Sequence, residues 1–382
     1  MHKNKIWLSS PHMGGSELKY IQEAFDTNWI APAGANIDGF EADLEKYLGG
    51  RYITLLNSGT AAIHLGLVLL GIQAGDEVIC QSMTFAASAN PILYQGATPV
   101  FVDSETETWN LCPIALEEAI VDRITKGKKP KAIIAVDLYG MPYQIEAIRL
   151  LADKYSIPIL EDSAEALGSS YKGRKCGTFG DIGVLSFNGS KIITTSGGGA
   201  IITKNQELKD KALFLATQAK DNAPYYQHLE IGYNYRMSNV CAGIGRGQME
   251  VLCSHLELRR KRHRFYIQLF NNIEGVTVFN EPDEDYFSNH WLTVILVNPK
   301  LTKGITAEDF RLALLAENIE SRPVMKPMHL QAIFKNYPYY GTKVAETLFE
   351  NGLCLPSGSN LSEEDCNRIQ AVISYLFKIE II

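Results

Sequence analysis

Between about residue 50 and residue 205, short β-branched runs alternate with stretches of helical period, and this alternation constrains the fold more than any other feature of the chain. Strands separated by helices pair most readily in parallel, with the crossover helices packed on the faces of the sheet. The pattern predicts strands near 53–57, 77–81, 98–103, 132–137, 158–162, 183–187 and 199–203. It predicts helices over 60–70, 84–94, 113–120, 143–155 and 206–216. A long helix over 238–272 then leads to strands 276–279 and 291–297 and helices 307–317 and 363–377. The fold class expected is α/β: a mostly parallel central sheet with a smaller C-terminal α+β lobe, divided as residues 1–240 and 241–382. Ligands of such sheets collect beyond the carboxyl ends of the strands, so residues at those ends are the functional candidates.

The charge balance excludes some partners. With 36 Lys and Arg against 43 Asp and Glu, the net charge is −7. The only dense basic runs are Lys126 to Lys131 and Arg259 to Arg262, read as a loop before a strand and as the polar face of the long helix. Nucleic acid is therefore not an expected partner. The seven cysteines show no C-x-x-C pair and no metal-ligand spacing with histidine, which suits reduced thiols in a cytoplasmic protein and predicts no metal. No apolar run is long enough for a signal peptide or a membrane span.

One lysine stands out within the alternating region. Lys191 follows the apolar run 183–187 and a turn, and precedes the glycines 197–199. Upstream, the strand 157–162 ends on the carboxylates Glu161 and Asp162. An acid at a strand end and a lysine on a later turn suit an aldehyde cofactor of the pyridine class, the acid pairing with the ring nitrogen and the lysine with the aldehyde carbon. Ser58, Gly59 and Thr60 lie between a strand and a helix, where free amides and a hydroxyl hold an anion, although an ordinary helix cap reads the same way. Ser186 offers a further hydroxyl. Phe85 follows another strand and can lie against an aromatic ring, or sit in the core. No G-x-G-x-x-G follows the first strand, no phosphate loop of the G-x-x-x-x-G-K type is present, and the eight histidines form no H-E-x-x-H pair.

With these residues in view, the chain resembles the DegT-type sugar aminotransferases, enzymes of aspartate-aminotransferase fold type I that use pyridoxal 5'-phosphate (PLP). The motifs run in order: Ser9 to Gly15, Asn57 to Ala62, Glu161 to Gly168, Ser186 to Lys191, Gly232 to Ser238 and Leu355 to Gly358. The resemblance implies that Lys191 carries the cofactor and that Asp162 pairs with its ring nitrogen. It implies that Ser58, Gly59, Thr60 and Ser186 hold the phosphate and that Phe85 stacks on the ring. Asn234 would reach the phosphate of a neighbouring subunit, making a homodimer with shared sites. Arg236, from the same loop of the neighbouring subunit, together with Arg322 and His329 would face a nucleotide sugar or the glutamate/2-oxoglutarate pair. The segments 192–199 and 322–329 look most like the branch acting on UDP-4-keto sugars. Two positions depart from the pattern. Many relatives carry Gln at Glu165, where a carboxylate would repel the cofactor's phenolate unless one of them is protonated or the side chain turns aside. Asp137 stands where relatives often have His.

Overall fold

The computed structural model describes residues 4–377. Its first half contains helices α1 (Glu17–Asp26) and α2 (Ala35–Tyr47), then strand β1 (Tyr52–Leu56), α3 (Gly59–Leu69), β2 (Glu77–Gln81), α4 (Ala86–Tyr94) and β3 (Thr98–Val102). The chain continues through α5 (Pro113–Thr125), β4 (Ala132–Val136), α6 (Ile145–Tyr155) and β5 (Ile159–Asp162). A short hairpin, β6 (Ser170–Tyr171) and β7 (Arg174–Lys175), precedes β8 (Ile182–Ser186), β9 (Gly199–Thr203) and α7 (Gln206–Ala216). The 32-residue α8 (Asn239–Phe270) leads to β10 (Val276–Val278), β11 (Tyr286–Phe287), β12 (Thr293–Val297), α9 (Ala307–Ala316), β13 (Arg322–Pro323), β14 (Tyr339–Tyr340), α10 (Val344–Asn351), β15 (Gly352–Leu355) and α11 (Glu363–Phe377).

The large sheet has the order β1-β9-β8-β5-β4-β2-β3-β14. Neighbouring strands run parallel except around β9, which is antiparallel to both β8 and β1. The reason lies in the connection: residues 187–198 contain no crossover helix, so β9 returns directly beside β8, and the returning loop carries Lys191. One sheet face is covered by α3, α4 and α7, with Leu65, Ile92, Leu160 and Leu215 buried between them. The other face lies under α5 and α6 through Leu116, Ile120, Ile148 and Ile159. The strands thus bury both faces, which is why β2 and β4 are buried along their whole length.

A second sheet, β10-β12-β15-β13, is wholly antiparallel and packs with α8, α9 and α11 through Tyr266, Phe310 and Ile369. The expected division near residue 240 falls at the start of α8, but the chain crosses it twice. Ile6 bridges to Ile319 and is buried in the smaller core, and β14 joins the edge of the large sheet.

The run read as a solvated basic face behaves otherwise. Arg259 is 1% exposed and Arg262 is buried, their terminal guanidinium nitrogens donating to acceptors from distant segments while each Nε is left without a partner among the described residues. Arg260 turns outward to Glu281.

Two histidines of α8 make acid lability an expected property. Burial, together with the stacked neighbour His12, pushes His255 from 6.5 down to about 4, and burial with the stacked His290 pushes His263 down to about 3. The unfolded chain takes up these protons below about 6.5 while the folded chain does not, so stability present above that pH is lost as it falls toward 4. Melting temperature followed from pH 7.5 to pH 4.5 should drop by several degrees, and His263→Gln should flatten the decline; an identical slope in the variant would rule His263 out as its source.

Candidate active site

The carboxyl ends of β1, β2, β5 and β8 converge on one cavity of about 340 Å³. Its walls include Ser58, Gly59, Thr60, Phe85, Asp162, Glu165, Ser186 and Lys191, eight of the residues singled out in the sequence, drawn from segments more than a hundred residues apart.

At the end of β1, the Ser58 hydroxyl caps α3 by accepting from the Ala61 N–H at 3.0 Å, and its carbonyl takes the Ala62 N–H. The Gly59 and Thr60 N–H groups are left without an intrahelical acceptor at the positive end of the helix dipole. A Cβ on Gly199 would lie 2.5 Å from the Gly59 nitrogen, so only glycine allows β9 to approach this turn. Ser186 lies against the same turn, its Oγ 3.2 Å from where a Gly59 Cβ would be. Two free amides and the hydroxyls of Thr60 and Ser186 form a donor-rich cradle suited to a phosphate. The cap and the anion cradle, alternatives in the sequence, are both present here, because the cap uses the Ser58 side chain and spares the amides.

Asp162 ends β5 and is 4% exposed. Its Oδ2 accepts from Ser88 Oγ at 2.6 Å, and Oδ1 accepts from the Ala164 N–H at 3.2 Å. Burial raises its carboxyl above the usual range, opposed by Ser88, the Ala164 amide and the charge of Lys191. A cation placed against it, such as a protonated pyridine nitrogen, would hold it ionised. Thr84 Oγ1 lies 2.7 Å from Ser88 Oγ and extends the chain of hydroxyls.

Lys191 projects its Nζ to 3.2 Å from Glu165 Oε1 and 4.1 Å from the centroid of the Trp291 ring. Its loop is fastened from three directions. The Ser190 carbonyl accepts from Ser9 Oγ at 2.7 Å and from Trp291 Nε1 at 2.6 Å. Arg259 Nη2 reaches Ser9 Oγ at 3.0 Å, while its Nη1 donates to the Trp291 carbonyl at 2.5 Å. The lysine is therefore held at its base and mobile only along its side chain.

Glu165 is not turned aside. It faces Lys191, and its Oε2 accepts from the Tyr139 N–H at 2.8 Å, an amide aimed there by a left-handed backbone at Tyr139, φ +56°. Burial raises the Glu165 carboxyl, and Lys191 pulls it back down. Asp137, also fully buried, accepts from Ser163 Oγ at 2.5 Å; burial and the nearby Glu161 raise its carboxyl well above the usual range. Phe85 is 64% exposed, which no core phenylalanine would be, and borders the cavity at the start of α4.

The four remaining candidates lie elsewhere. Arg322 lines an adjoining cavity of about 500 Å³ that shares Phe85, Ser190, Trp291 and Met325 with the first, and it pairs with Glu320 at 2.7 Å. Within its own chain Arg236 holds its guanidinium buried against Glu41 at 2.5 Å and donates to the Leu55 carbonyl. His329 has its Nδ1 2.7 Å from Ser82 Oγ, its Nε2 3.4 Å from Glu346 and its ring stacked on Tyr339. Both side chains have their polar atoms engaged within the fold. Asn234 is exposed outside its own chain's cavity, its carbonyl accepting from Asn57 Nδ2 at 3.2 Å.

Sequence reasoning passed over Ser88, Trp291, Met325 and Arg259. For Ser88 a signal existed, since it lies one helical turn after Thr84 behind a strand end. The others reach the site from the far half of the chain, and no local pattern announces them. Two groups of metal-capable side chains also come together from distant positions: His263, Glu281 and His290, and Asp137, Glu161 and Cys176. Their donors are largely engaged already. The two imidazoles stack at 3.5 Å, Glu281 holds Arg260, and Glu161 accepts from the amides of Gly177, Phe179 and Gly180.

Comparison with known proteins agrees with this geometry. The DegT/DnrJ/EryC1/StrS aminotransferase family is matched over residues 11–374. EpsN of Bacillus subtilis, named as a pyridoxal phosphate-dependent aminotransferase, is 48% identical over 381 residues, covering 99% of this chain and 97% of that protein. GDP-perosamine synthase of Escherichia coli O157:H7 is 38% identical over 94% of this chain and 95% of its own length. Among solved structures, Spr1654 of Streptococcus pneumoniae in its PLP form, named as a sugar aminotransferase, superposes with a TM-score of 0.89 at 27% identity, covering 98% of this chain and 99% of that one.

Proposed function

Since this chain belongs to the DegT/DnrJ/EryC1/StrS aminotransferase family, of fold type I and dependent on PLP, we propose that it transfers an amino group from glutamate to C4 of a nucleotide-linked 4-keto-6-deoxy sugar. The nucleotide sugar we favour is the UDP-linked 2-acetamido sugar, in bacterial surface glycan synthesis. The observation that carries the reaction is the convergence of Lys191, Asp162 and the free amides of α3 on one cavity. Sugar chemistry is supported by GDP-perosamine synthase among the relatives. That relative also favours the second reading, a GDP-linked keto sugar as acceptor.

When bound, PLP stores the amino group between donor and acceptor, its ring taking up the electron pair released at the reacting carbon. The chain supplies the rest. The Gly59 and Thr60 amides with the Thr60 and Ser186 hydroxyls would hold the phosphate, and Phe85 would border the ring. Asp162, oriented by Ser88 and the Ala164 amide, would keep the ring nitrogen protonated. Lys191 would hold the cofactor and, as a free amine, would take and return the proton at the donor's Cα. Glu165 and the face of Trp291 would receive its ammonium form whenever the lysine is free of the cofactor.

A shared site in a homodimer is part of the proposal. Tyr225, Tyr226, Leu229 and Ile231, just before Asn234, are each at least 65% exposed and form apolar surface of the kind a second copy covers. Asn234→Ala should then weaken cofactor retention by roughly tenfold or more, the loss of one charge-assisted hydrogen bond of about 1.5–3 kcal/mol. Mixing Lys191→Ala with Asn234→Ala subunits should restore activity approaching one intact site per heterodimer. No recovery after demonstrated subunit exchange would contradict the shared site.

Substrate choice is tested by incubating the cofactor-loaded protein and glutamate with UDP-, GDP- and dTDP-linked keto sugars and detecting the amino products by mass. The UDP-4-keto sugar should react fastest by at least tenfold; a faster GDP-linked substrate would replace the nucleotide assignment while leaving the reaction class in place.

A further inference from the structure

A second concave site lies at the opposite end of the strands of the large sheet, where β1 begins and β9 ends. It has a volume of about 560 Å³ and is lined by Tyr47, Arg51, Arg174, Lys175, Thr178 and Lys204 together with open glycines. The catalytic cavity opens beyond the carboxyl ends of the parallel strands, so the sheet separates the two.

The charge at this site is not neutralised. Arg51 Nη2 donates to the Thr178 carbonyl at 2.8 Å, and Arg174 donates to the same carbonyl and, through Nε, to Thr178 Oγ1 at 3.0 Å. Lys175 rests over the Tyr47 ring at 5.1 Å. Among the described residues, none of these three cations forms an ion pair with a carboxylate, in a chain where acidic groups outnumber basic ones. The nearest acids are engaged elsewhere: Asp181 holds Arg149 and Lys204, and Glu161 accepts three backbone amides. Two guanidinium groups on one carbonyl oxygen repel each other, and Arg174 is lowered from its ordinary value first by burial and then by Arg51. Bringing these charges together costs free energy, which a bound dianion would offset. The rim is permissive, since a Cβ at Gly49, Gly50 or Gly173 would meet nothing within 4 Å.

We propose that this pocket binds a diphosphate anion, either inorganic pyrophosphate or the diphosphate of a nucleotide, through Arg51, Arg174 and Lys175. Each guanidinium retains unused N–H donors for a phosphoryl group, and Lys175 adds a point charge beside the aromatic face of Tyr47.

The test is a calorimetric titration of inorganic pyrophosphate into protein saturated with PLP, so that the catalytic phosphate cradle is filled. The wild type should bind one equivalent, more weakly as salt is raised. Lys175→Glu removes none of the hydrogen bonds to Thr178, so it should fold normally and keep basal transamination while losing at least tenfold in affinity. Arg174→Gln should lose affinity as well, and Arg322→Ala, on the catalytic side, should not. An affinity for UDP exceeding that for pyrophosphate and likewise lost in Lys175→Glu assigns the site to a nucleotide; equal affinities assign it to the diphosphate alone. Absence of pyrophosphate binding, or binding that Lys175→Glu leaves unchanged, overturns the proposal.

Discussion

Replacing Lys191 with alanine is expected to abolish both the visible absorbance of the lysine-bound cofactor and the transamination. One side chain supplies the covalent attachment and the proton transfer, so turnover should fall by roughly 10⁴-fold or more. The fold should survive. Lys191 contributes its Nζ to Glu165 and Trp291, whereas the loop itself is held by Ser9, Trp291 and Arg259 through backbone carbonyls. The change leaves Glu165 buried without its cation, which raises its carboxyl further and favours the neutral acid. Borohydride treatment followed by peptide mapping gives a readout independent of turnover. Wild-type protein should retain the cofactor on the peptide containing Lys191, and the variant on no peptide. Wild-type activity in Lys191→Ala would remove the lysine from the mechanism.

Asp162→Asn should slow the glutamate half-reaction by roughly 10²–10⁴-fold while the cofactor still binds, because the shape and the α3 phosphate cradle are kept and only the charge at the ring nitrogen is lost. The amide still accepts from Ser88 through its oxygen, although its NH2 would face the Ala164 N–H or the ring. Ser88→Ala provides a graded companion: it removes one donor from a buried carboxylate and should slow the same step by a smaller factor. Single-turnover rates for Asp162→Asn equal to those of the wild type would show that the charge has no part in the reaction.

The large sheet was legible in the sequence because its order comes from burial on both faces, which leaves continuous β-branched strands separated by helical period. Eleven of the twelve helices and strands expected up to Ala216 differ from the observed ones by no more than two residues at either end; α5 runs five residues beyond its expected end because its last turn, around Arg123, is polar and ion-paired to Glu77. The antiparallel β9 was not foreseen. Its direction depends on what the 187–198 segment lacks, a helix, rather than on its own residues. The short strands β6, β7, β11, β13 and β14 went unseen because two residues carry no period.

At the site, Lys191, Asp162, Thr60 and Ser186 were readable because each sits at a strand end or turn with a recognisable neighbourhood. Arg236 and His329 came only through resemblance. Their contacts within the chain, to Glu41, Ser82 and Glu346, were not readable because those partners lie far away in sequence. Arg259 was misread for a related reason. A charged run on a helix looks solvated until distant carbonyls come to satisfy it.

The proposed reaction carries amino nitrogen through the cofactor held at Lys191 to a sugar ketone. It is tested most directly by loading the protein with PLP, adding glutamate labelled with heavy nitrogen in the absence of sugar, removing the free amino and keto acids, and then adding the UDP-4-keto-6-deoxy sugar. One labelled amino sugar per active site is expected in a single turnover, and none from Lys191→Ala. Labelled nitrogen that remains with glutamate, with no amino sugar formed from any nucleotide-linked ketone, would contradict it.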